Sequence, residues 1–347
     1  MRNIASLNSF NISAVNTAKD NNDNSCVVNP IKVEKDGNNQ LLHTLDVLST
    51  LNRANIADFR LKISSCDGLV GEFKQGAAGD CWLLAGLRSL SNSPTGVDII
   101  KNSITKNDDG SVSVTFKGLN TSYTITEDEF NRATKQFMTS PDGVKERVYS
   151  NGDADVLVFE LAAEKLRTDL SDGKFDDIKV PNYAKTVVNK KNPLSDGKSA
   201  QLFYLLTGNE VCAISGRDVV SPDGKVLCKN NKEKFQEFFE RYSEDNKKYA
   251  VGFNVADKVS IIDAAGKEIR FVPKHEYSIL GTVGNNFVIS NPHNSARKLI
   301  VPAENLFEQI GELNYQNLKD NYDFYDASLK KHLIKATEAN DYINQNY

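Results

Sequence analysis

Cys81 is the residue of this chain best placed to do chemistry. It sits in Gln75-Gly76-Ala77-Ala78-Gly79-Asp80-Cys81-Trp82, where small residues and an aspartate lead into an apolar run of Trp82, Leu83, Ala85, Leu87 and Leu90. That spacing predicts a helix starting at Cys81 or Trp82, with Asp80 as its N-cap. A thiol is a weak nucleophile until it ionises, and the unpaired N–H groups and dipole of a helix N-terminus favour the thiolate. The small residues before it form a flexible loop that lets a substrate backbone come close. Gln75, upstream, could donate its amide N–H to a developing oxyanion together with the backbone N–H of Cys81. On spacing alone, the same stretch reads equally well as a helix start holding a buried thiol.

A cysteine nucleophile needs a base, and the base needs a group to orient it. The histidines are His43, His275, His293 and His332. His43 falls in a polar N-terminal region and His332 in a charged C-terminal one, where solvated side chains are the rule. His275 follows Pro273-Lys274 and leads into the strand-like Tyr277-Ser278-Ile279-Leu280, which would fix its position. Asn291 ends the next strand-like run and precedes Pro292, so its amide oxygen could accept the imidazole N–H. An asparagine before proline is also a common turn starter. His293, in a turn-like Asn-Pro-His-Asn-Ser run, is the rival base.

These residues must be held by surrounding elements. Asp155 to Leu170 has a helical apolar side of Val156, Val158, Phe159, Ala162, Ala163 and Leu166. Ser199 to Leu206 predicts a short helix closed by Gly208. Ser111–Phe116 and Ser122–Thr126 alternate with period two and predict a hairpin across Gly118-Leu119-Asn120. After residue 208 the runs 211–215, 249–254, 277–280, 287–290 and 298–301 read as strands, interrupted by a helix over 235–242. The expected class is α+β, a helical first part carrying the cysteine and an antiparallel β second part carrying His and Asn. The expected divisions are 1–58, a polar tail or pro-segment with a short helix over 41–51; 59–208, helical; 209–310, β-rich; and 311–347, a charged helical tail.

Composition narrows the function. At 347 residues, 39% hydrophobic and 25% charged, the chain has ample length for a core. A formal charge of −4 argues against nucleic acid, whose phosphates need a basic face. No apolar run approaches the roughly 18–20 residues of a membrane span. The first residues lack the apolar core of a secretory signal, so the expected location is cytoplasmic, or outside by a non-classical route. Five cysteines, Cys26, Cys66, Cys81, Cys212 and Cys228, with no Cys-x-x-Cys pair, indicate free thiols rather than a zinc site.

Together the quoted residues resemble the calpain family of papain-like cysteine peptidases, whose nucleophile segment has the form Gln-Gly-x-x-Gly-Asp-Cys-Trp. Three further segments match in order: Leu161 to Leu166 resembles a Glu-Lys-Ala helix, Leu205-Leu206-Thr207-Gly208 the Leu-Thr-Gly that closes the first subdomain, and His275 to Ile279 with Asn291-Pro292 the His-Ala-Tyr-Ser-Val and Asn-Pro-Trp segments. The resemblance spans about residues 60–305. It implies a papain-like two-lobed core hydrolysing protein or peptide substrates, with Cys81 as nucleophile, His275 as base, Asn291 as its orienting residue and Gln75 as oxyanion donor. It implies no required cofactor, and a core that can bind calcium through acidic loops, although no motif marks the calcium ligands. The chain departs from the pattern at Lys274, where the family has glycine, and at His293, where it has tryptophan. Those departures leave room for a catalytically silent binding module, and the cysteine plan leaves room for a cysteine-dependent acyl transferase. Self-removal of the N-terminal segment is a further expectation.

Overall fold

The structure, a computed structural model, describes residues 16–18, 27–29, 61–220, 223–255 and 259–318. The chain divides into units spanning 1–57 and 58–347. In the first, Asn16–Ala18 (β1) pairs antiparallel with Val27–Asn29 (β2), where the sequence reads as loop. The expected helix over 41–51 and Cys26, His43 and His332 lie outside the described residues.

In the second unit a short 3-10 helix (Ile63–Ser65) precedes helix α1 (Cys81–Leu90) and helix α2 (Pro94–Ser103). Strands β3 (Ile104–Lys106), β4 (Val112–Phe116) and β5 (Thr121–Ile125) follow as an antiparallel sheet. The predicted hairpin is therefore there with a third strand added, and Asn120 turns it with a left-handed φ of 49°. Helix α3 (Glu127–Ala133), the hairpin β6 (Phe137–Thr139) and β7 (Lys145–Arg147), and helices α4 (Ala154–Ser171), α5 (Asn182–Lys185) and α6 (Ser199–Thr207) complete the helical part. Sequence sets these boundaries locally. Ser93 caps α2 by accepting from Gly96 N at 2.9 Å, Asp153 caps α4 by accepting from Val156 N at 3.1 Å, and Gly208 ends α6 at φ 72°.

Strands then dominate: β8 (Cys212–Ser215), β9 (Val219–Val220), β10 (Val226–Cys228), helix α7 (Lys232–Glu244), β11 (Tyr249–Val255), β12 (Val259–Ile262), β13 (Glu268–Phe271), β14 (His275–Val283), β15 (Asn286–Asn291), β16 (Asn294–Pro302), helix α8 (Ala303–Phe307) and β17 (Ile310–Asn317). Six of them form one antiparallel sheet in the order β16-β15-β14-β11-β17-β8. The molecule is thus mixed α and β with antiparallel sheets.

β17 corrects the first part of the helical tail expected over 311–347, whose remainder from residue 319 lies outside the described residues. It lies between β11 and β8, so both of its edges are paired. Two of its buried polar residues have partners: Glu312 meets Lys198 Nζ at 2.9 and 3.0 Å, and Gln316 Nε2 donates to Thr207 Oγ1 at 2.9 Å. Polar composition there marks contact with α6 and the residue before it, not solvent.

The apolar residues gather in two main clusters. One is built on α1, α4, α6 and the β3–β5 sheet, the other on the six-stranded sheet, α7 and α8. α1 is buried along most of its length, with Trp82, Leu83, Leu84, Leu87 and Leu90 fully covered. Each large apolar side chain so removed from water contributes roughly 1.5–3 kcal/mol. α1 is also fastened to the sheet by hydrogen bonds: Ser278 Oγ of β14 donates to Ala85 O at 2.8 Å, and Val251 N of β11 donates to Ser89 Oγ at 2.5 Å. The helix that starts at Cys81 is therefore fixed against the strand that starts at His275.

Candidate active site

The helix starts at Cys81, as the spacing predicts, with Asp80 in the N-cap position. Asp80 does not cap with its side chain. Its carboxylate turns into the interior, fully buried, and accepts from Gln75 Nε2 at 3.1 Å. The loop before it is not loose. Lys74 pairs with Asn151 in both directions at 2.8 and 2.9 Å, Ala77 N donates to Arg147 O at 2.9 Å, and Ala78 N donates to Val148 O at 2.8 Å. Gly76 is required by this close approach, because a Cβ there would lie 2.4–2.7 Å from the carbonyl oxygens of Tyr149, Val148 and Arg147. Gly79 adopts φ +77°, which favours glycine and turns the chain into the helix.

His275 opens β14 and Asn291 closes β15, and these strands are antiparallel neighbours. Their ends therefore meet. His275 Nε2 lies 2.9 Å from Asn291 Oδ1, and the same oxygen accepts from His293 N at 3.0 Å. Two donors into one oxygen settle the amide orientation and make Nε2 the protonated ring nitrogen. Nδ1 is left as the basic nitrogen. Asn291 is also the turn starter that its place before Pro292 suggests: Asn291 pairs with Asn294, and Pro292-His293 form the turn between β15 and β16. The functional and the turn-forming readings are two uses of one side chain.

The structure bonds His275 to Asn291, and it sets Cys81 near Glu276, the residue next to His275, whose backbone N–H, with that of Trp82, favours the ionised sulfur. Gln75 N donates to Pro292 O at 2.9 Å, placing the glutamine beside the Asn291 turn. As a first-turn donor of α1, the Cys81 N–H has no acceptor within its helix. Gln75 Nε2 has a second N–H besides the one spent on Asp80.

Two rings contact the imidazole: Tyr277 meets it edge-on, with ring centroids 4.8 Å apart and planes at 87°, and His293 lies at 4.2 Å and 31°. His293 thus stacks on His275 while only its backbone N–H reaches Asn291. Lys274 has φ 53°, a left-handed backbone in which a glycine is unstrained. Its N–H donates to Val255 O at 2.8 Å, which fixes the turn into His275.

Electrostatics depart from the sequence expectation. The helix N-terminus favours a thiolate, but burial outweighs it: the Cys81 thiol is pushed up to about 12, with the neighbouring Glu276 and Asp80 charges adding to the rise. Burial, then the charge of His293, pushes the His275 imidazole down to about 4, against the hydrogen bond to Asn291. The resting pair is a neutral thiol and a neutral imidazole. Trp82 lies in the core rather than over the site, its indole N–H donating to Leu194 O at 2.9 Å and its ring 4.9 Å from the Arg167 guanidinium.

Sequence reasoning misses two buried acids. Glu276 is fully enclosed, accepting from Ser199 Oγ at 2.7 Å and from Asn254 Nδ2 at 3.0 Å. It stands where the resembled segment has alanine, which is its signal. Glu160 is buried one turn along from Val156 and one turn before Ala163, so a charge on the apolar stripe of the predicted helix is the clue. Among the described residues no group of three or more His, Cys, Asp or Glu is arranged to hold a metal ion. No described helix is long and apolar enough to cross a membrane. The sequence matches no protein-family model, and no curated protein matches it.

Proposed function

We propose that the chain is a cysteine endopeptidase of the calpain type, a papain-like core in which a helical lobe supplies Cys81 and Gln75 and a β lobe supplies His275 and Asn291. The observation that carries this reading is the His275 Nε2–Asn291 Oδ1 bond of 2.9 Å, which leaves Nδ1 basic beside the strand residue that touches the Cys81 thiol. Because both partners are neutral at rest, the Sγ proton passes to Nδ1 as sulfur attacks the peptide carbonyl carbon, not before. Negative charge then develops on the carbonyl oxygen, within reach of the Gln75 amide and the Cys81 N–H. His275 returns the proton to the leaving amine, and the acyl group stays on Cys81. Water, deprotonated by His275, attacks the thioester and releases the acid, and the proton goes back to sulfur.

The parts are joined by protein groups directly: Phe73 N donates to Ser295 Oγ at 2.8 Å, Gln75 N to Pro292 O, Ser199 Oγ to Glu276, and Lys198 Nζ to Glu312. These bonds support catalysis without added calcium. The test is cleavage of a denatured protein in calcium and in excess chelator, with Cys81→Ala beside it. Equal rates in both buffers, and loss of cleavage and of labelling by an epoxide thiol reagent in Cys81→Ala, are expected. Labelling that survives Cys81→Ala sinks the assignment. The buried thiol favours one second reading, a silent module that binds a partner, and absence of cleavage by the wild-type chain would establish it. Amine incorporation without hydrolysis would make the enzyme an acyl transferase instead.

A further inference from the structure

Behind the nucleophile lies a buried pair of carboxyl groups that the chemistry above does not use. Asp80 and Glu160 are both fully covered, and their carboxyls lie within hydrogen-bonding reach of each other. Glu160 accepts from Ser150 N at 2.9 and 3.1 Å, and Ser150 Oγ also donates to it. On the other side Asp80 Oδ1 accepts from Gln75 Nε2 at 3.1 Å, whereas Asp80 Oδ2 is buried with no N–H or hydroxyl donor. A carboxylate oxygen in the interior facing a second carboxyl, with no other donor, is where a shared proton belongs, because two adjacent buried carboxylates cannot both ionise.

We propose that Glu160, as the protonated partner, donates to Asp80 Oδ2 and so fixes Asp80 as the anchor that aims the Gln75 amide at the oxyanion. This role rests on the peptidase reading of the site. Asp80 and Glu160 are positioning residues: neither meets the substrate, and both act through Gln75. The single proton also keeps the charge behind the sulfur at one unit rather than two. Burial raises both groups above the ordinary carboxylate range, Glu160 the more strongly. The remaining ionisable groups facing them are Glu164 on α4, Tyr149 on the segment bound to the loop, and the thiol itself. Glu164 opposes ionisation of Asp80, and burial, then the bond Tyr149 donates to Glu164, raises the Tyr149 hydroxyl.

Asp80 has two effects of opposite sign, and that separates positioning from packing. Its charge raises the Cys81 thiol, so neutralising it makes the thiolate easier to form. Its bond to Gln75 serves only the oxyanion. The experiment compares wild-type, Asp80→Asn, Glu160→Gln and Glu160→Leu chains in two assays: kcat and KM on a denatured protein, and the rate of alkylation by iodoacetamide, a displacement that forms no oxyanion. In Asp80→Asn, kcat falls roughly tenfold to a hundredfold, part of the loss known for removing an oxyanion donor, with KM within about threefold and alkylation as fast as wild type or faster. Glu160→Gln, whose amide N–H can replace the acid proton, recovers most of the kcat that Glu160→Leu loses. If kcat and alkylation fall together in Asp80→Asn, or if Gln is no better than Leu at 160, the role is packing and the assignment is overturned. Unchanged kcat in Asp80→Asn overturns it too. A wild-type chain that is alkylated but cleaves nothing removes the peptidase reading itself, a different outcome from any of these.

Discussion

Asn291→Ala is the most informative single change at the triad. The side chain accepts from His275 Nε2 and from His293 N, and both bonds go at once. In the resting state the His275 bond joins neutral groups, worth about 0.5–1.5 kcal/mol net. Once Nδ1 has taken the thiol proton the donor is an imidazolium, and such bonds are worth about 1.5–3 kcal/mol. Only the difference, about 1–1.5 kcal/mol, acts on the chemical step, which is roughly fivefold to twelvefold in kcat at 1.36 kcal/mol per decade. Loss of tautomer control adds to it. Without Asn291, the ring can carry its proton on Nδ1, where it cannot act as base, at a further cost of roughly twofold to fivefold. The expected fall in kcat is therefore about tenfold to sixtyfold, with KM nearly unchanged because the substrate does not touch Asn291. Steady-state rates on a denatured protein measure both. Asn291→Asp should do better than Ala and move the acid limb of the pH profile upward, since a carboxylate stabilises the imidazolium. A kcat for Asn291→Ala within twofold of wild type, or an effect confined to KM, would falsify the assignment of Asn291 as the orienting group.

Other expectations follow from neighbouring contacts. The base must be neutral to accept the thiol proton, so kcat/KM should fall only as pH drops towards about 4, the value to which burial and His293 hold His275. His293→Phe keeps a ring on the stack and removes its charge, so that limb should move to higher pH; a profile that stays put refutes the electrostatic part. Lys274→Gly relieves a left-handed φ of 53° and should stabilise the fold by roughly 0.5–1 kcal/mol after the entropy cost of glycine, read as a higher urea midpoint. Lys198→Met leaves the Glu312 carboxylate, 4% exposed, without its cation and should cost roughly 3–5 kcal/mol. Adding Glu312→Met should restore much of that loss, and a double variant as unstable as the single one argues against the ion pair.

Much of the site is legible in the sequence because it depends on local rules. A helix start after glycine and aspartate, strands opening at His275 and closing at Asn291, and a glycine stop at 208 are each written in a few consecutive residues. What is illegible depends on neighbours distant in sequence. β17 reads as helix or tail because Glu312 and Gln316 look solvated, and only the flanking strands and Lys198 and Thr207 show why those residues can be buried. Asp80 has the residue type of an N-cap, yet Glu160 and Gln75 recruit its carboxylate away from the helix end. The stacking of His293 on His275 follows from the pairing of β14 with β15, which places residue 293 across from residue 275 if the Ser278–Ser290 register is continued.

The thiol shows why residue type and spacing are not enough to set the chemistry. A helix N-terminus acts on a cysteine through a few partial charges, worth about 0.3–1 kcal/mol at an exposed site and up to ~2 kcal/mol when partly buried. Desolvation of a thiolate at this buried site is larger, and the buried carboxyls at 276 and 80 work in the same direction. Burial therefore wins, and Cys81 rests protonated although its helix position alone favours ionisation. A neutral resting pair has a consequence for selectivity. Free thiol reagents meet an unreactive sulfur, whereas a carbonyl held between the Gln75 amide and the Cys81 N–H draws the proton to His275 as it is attacked. Alkylation of Cys81 by iodoacetamide should accordingly be slow at neutral pH relative to an exposed cysteine, while turnover of a bound peptide is not limited by the thiolate population. Alkylation at pH 7 well above the rate of an exposed cysteine would show that the sulfur is ionised at rest and that the helix terminus outweighs burial after all.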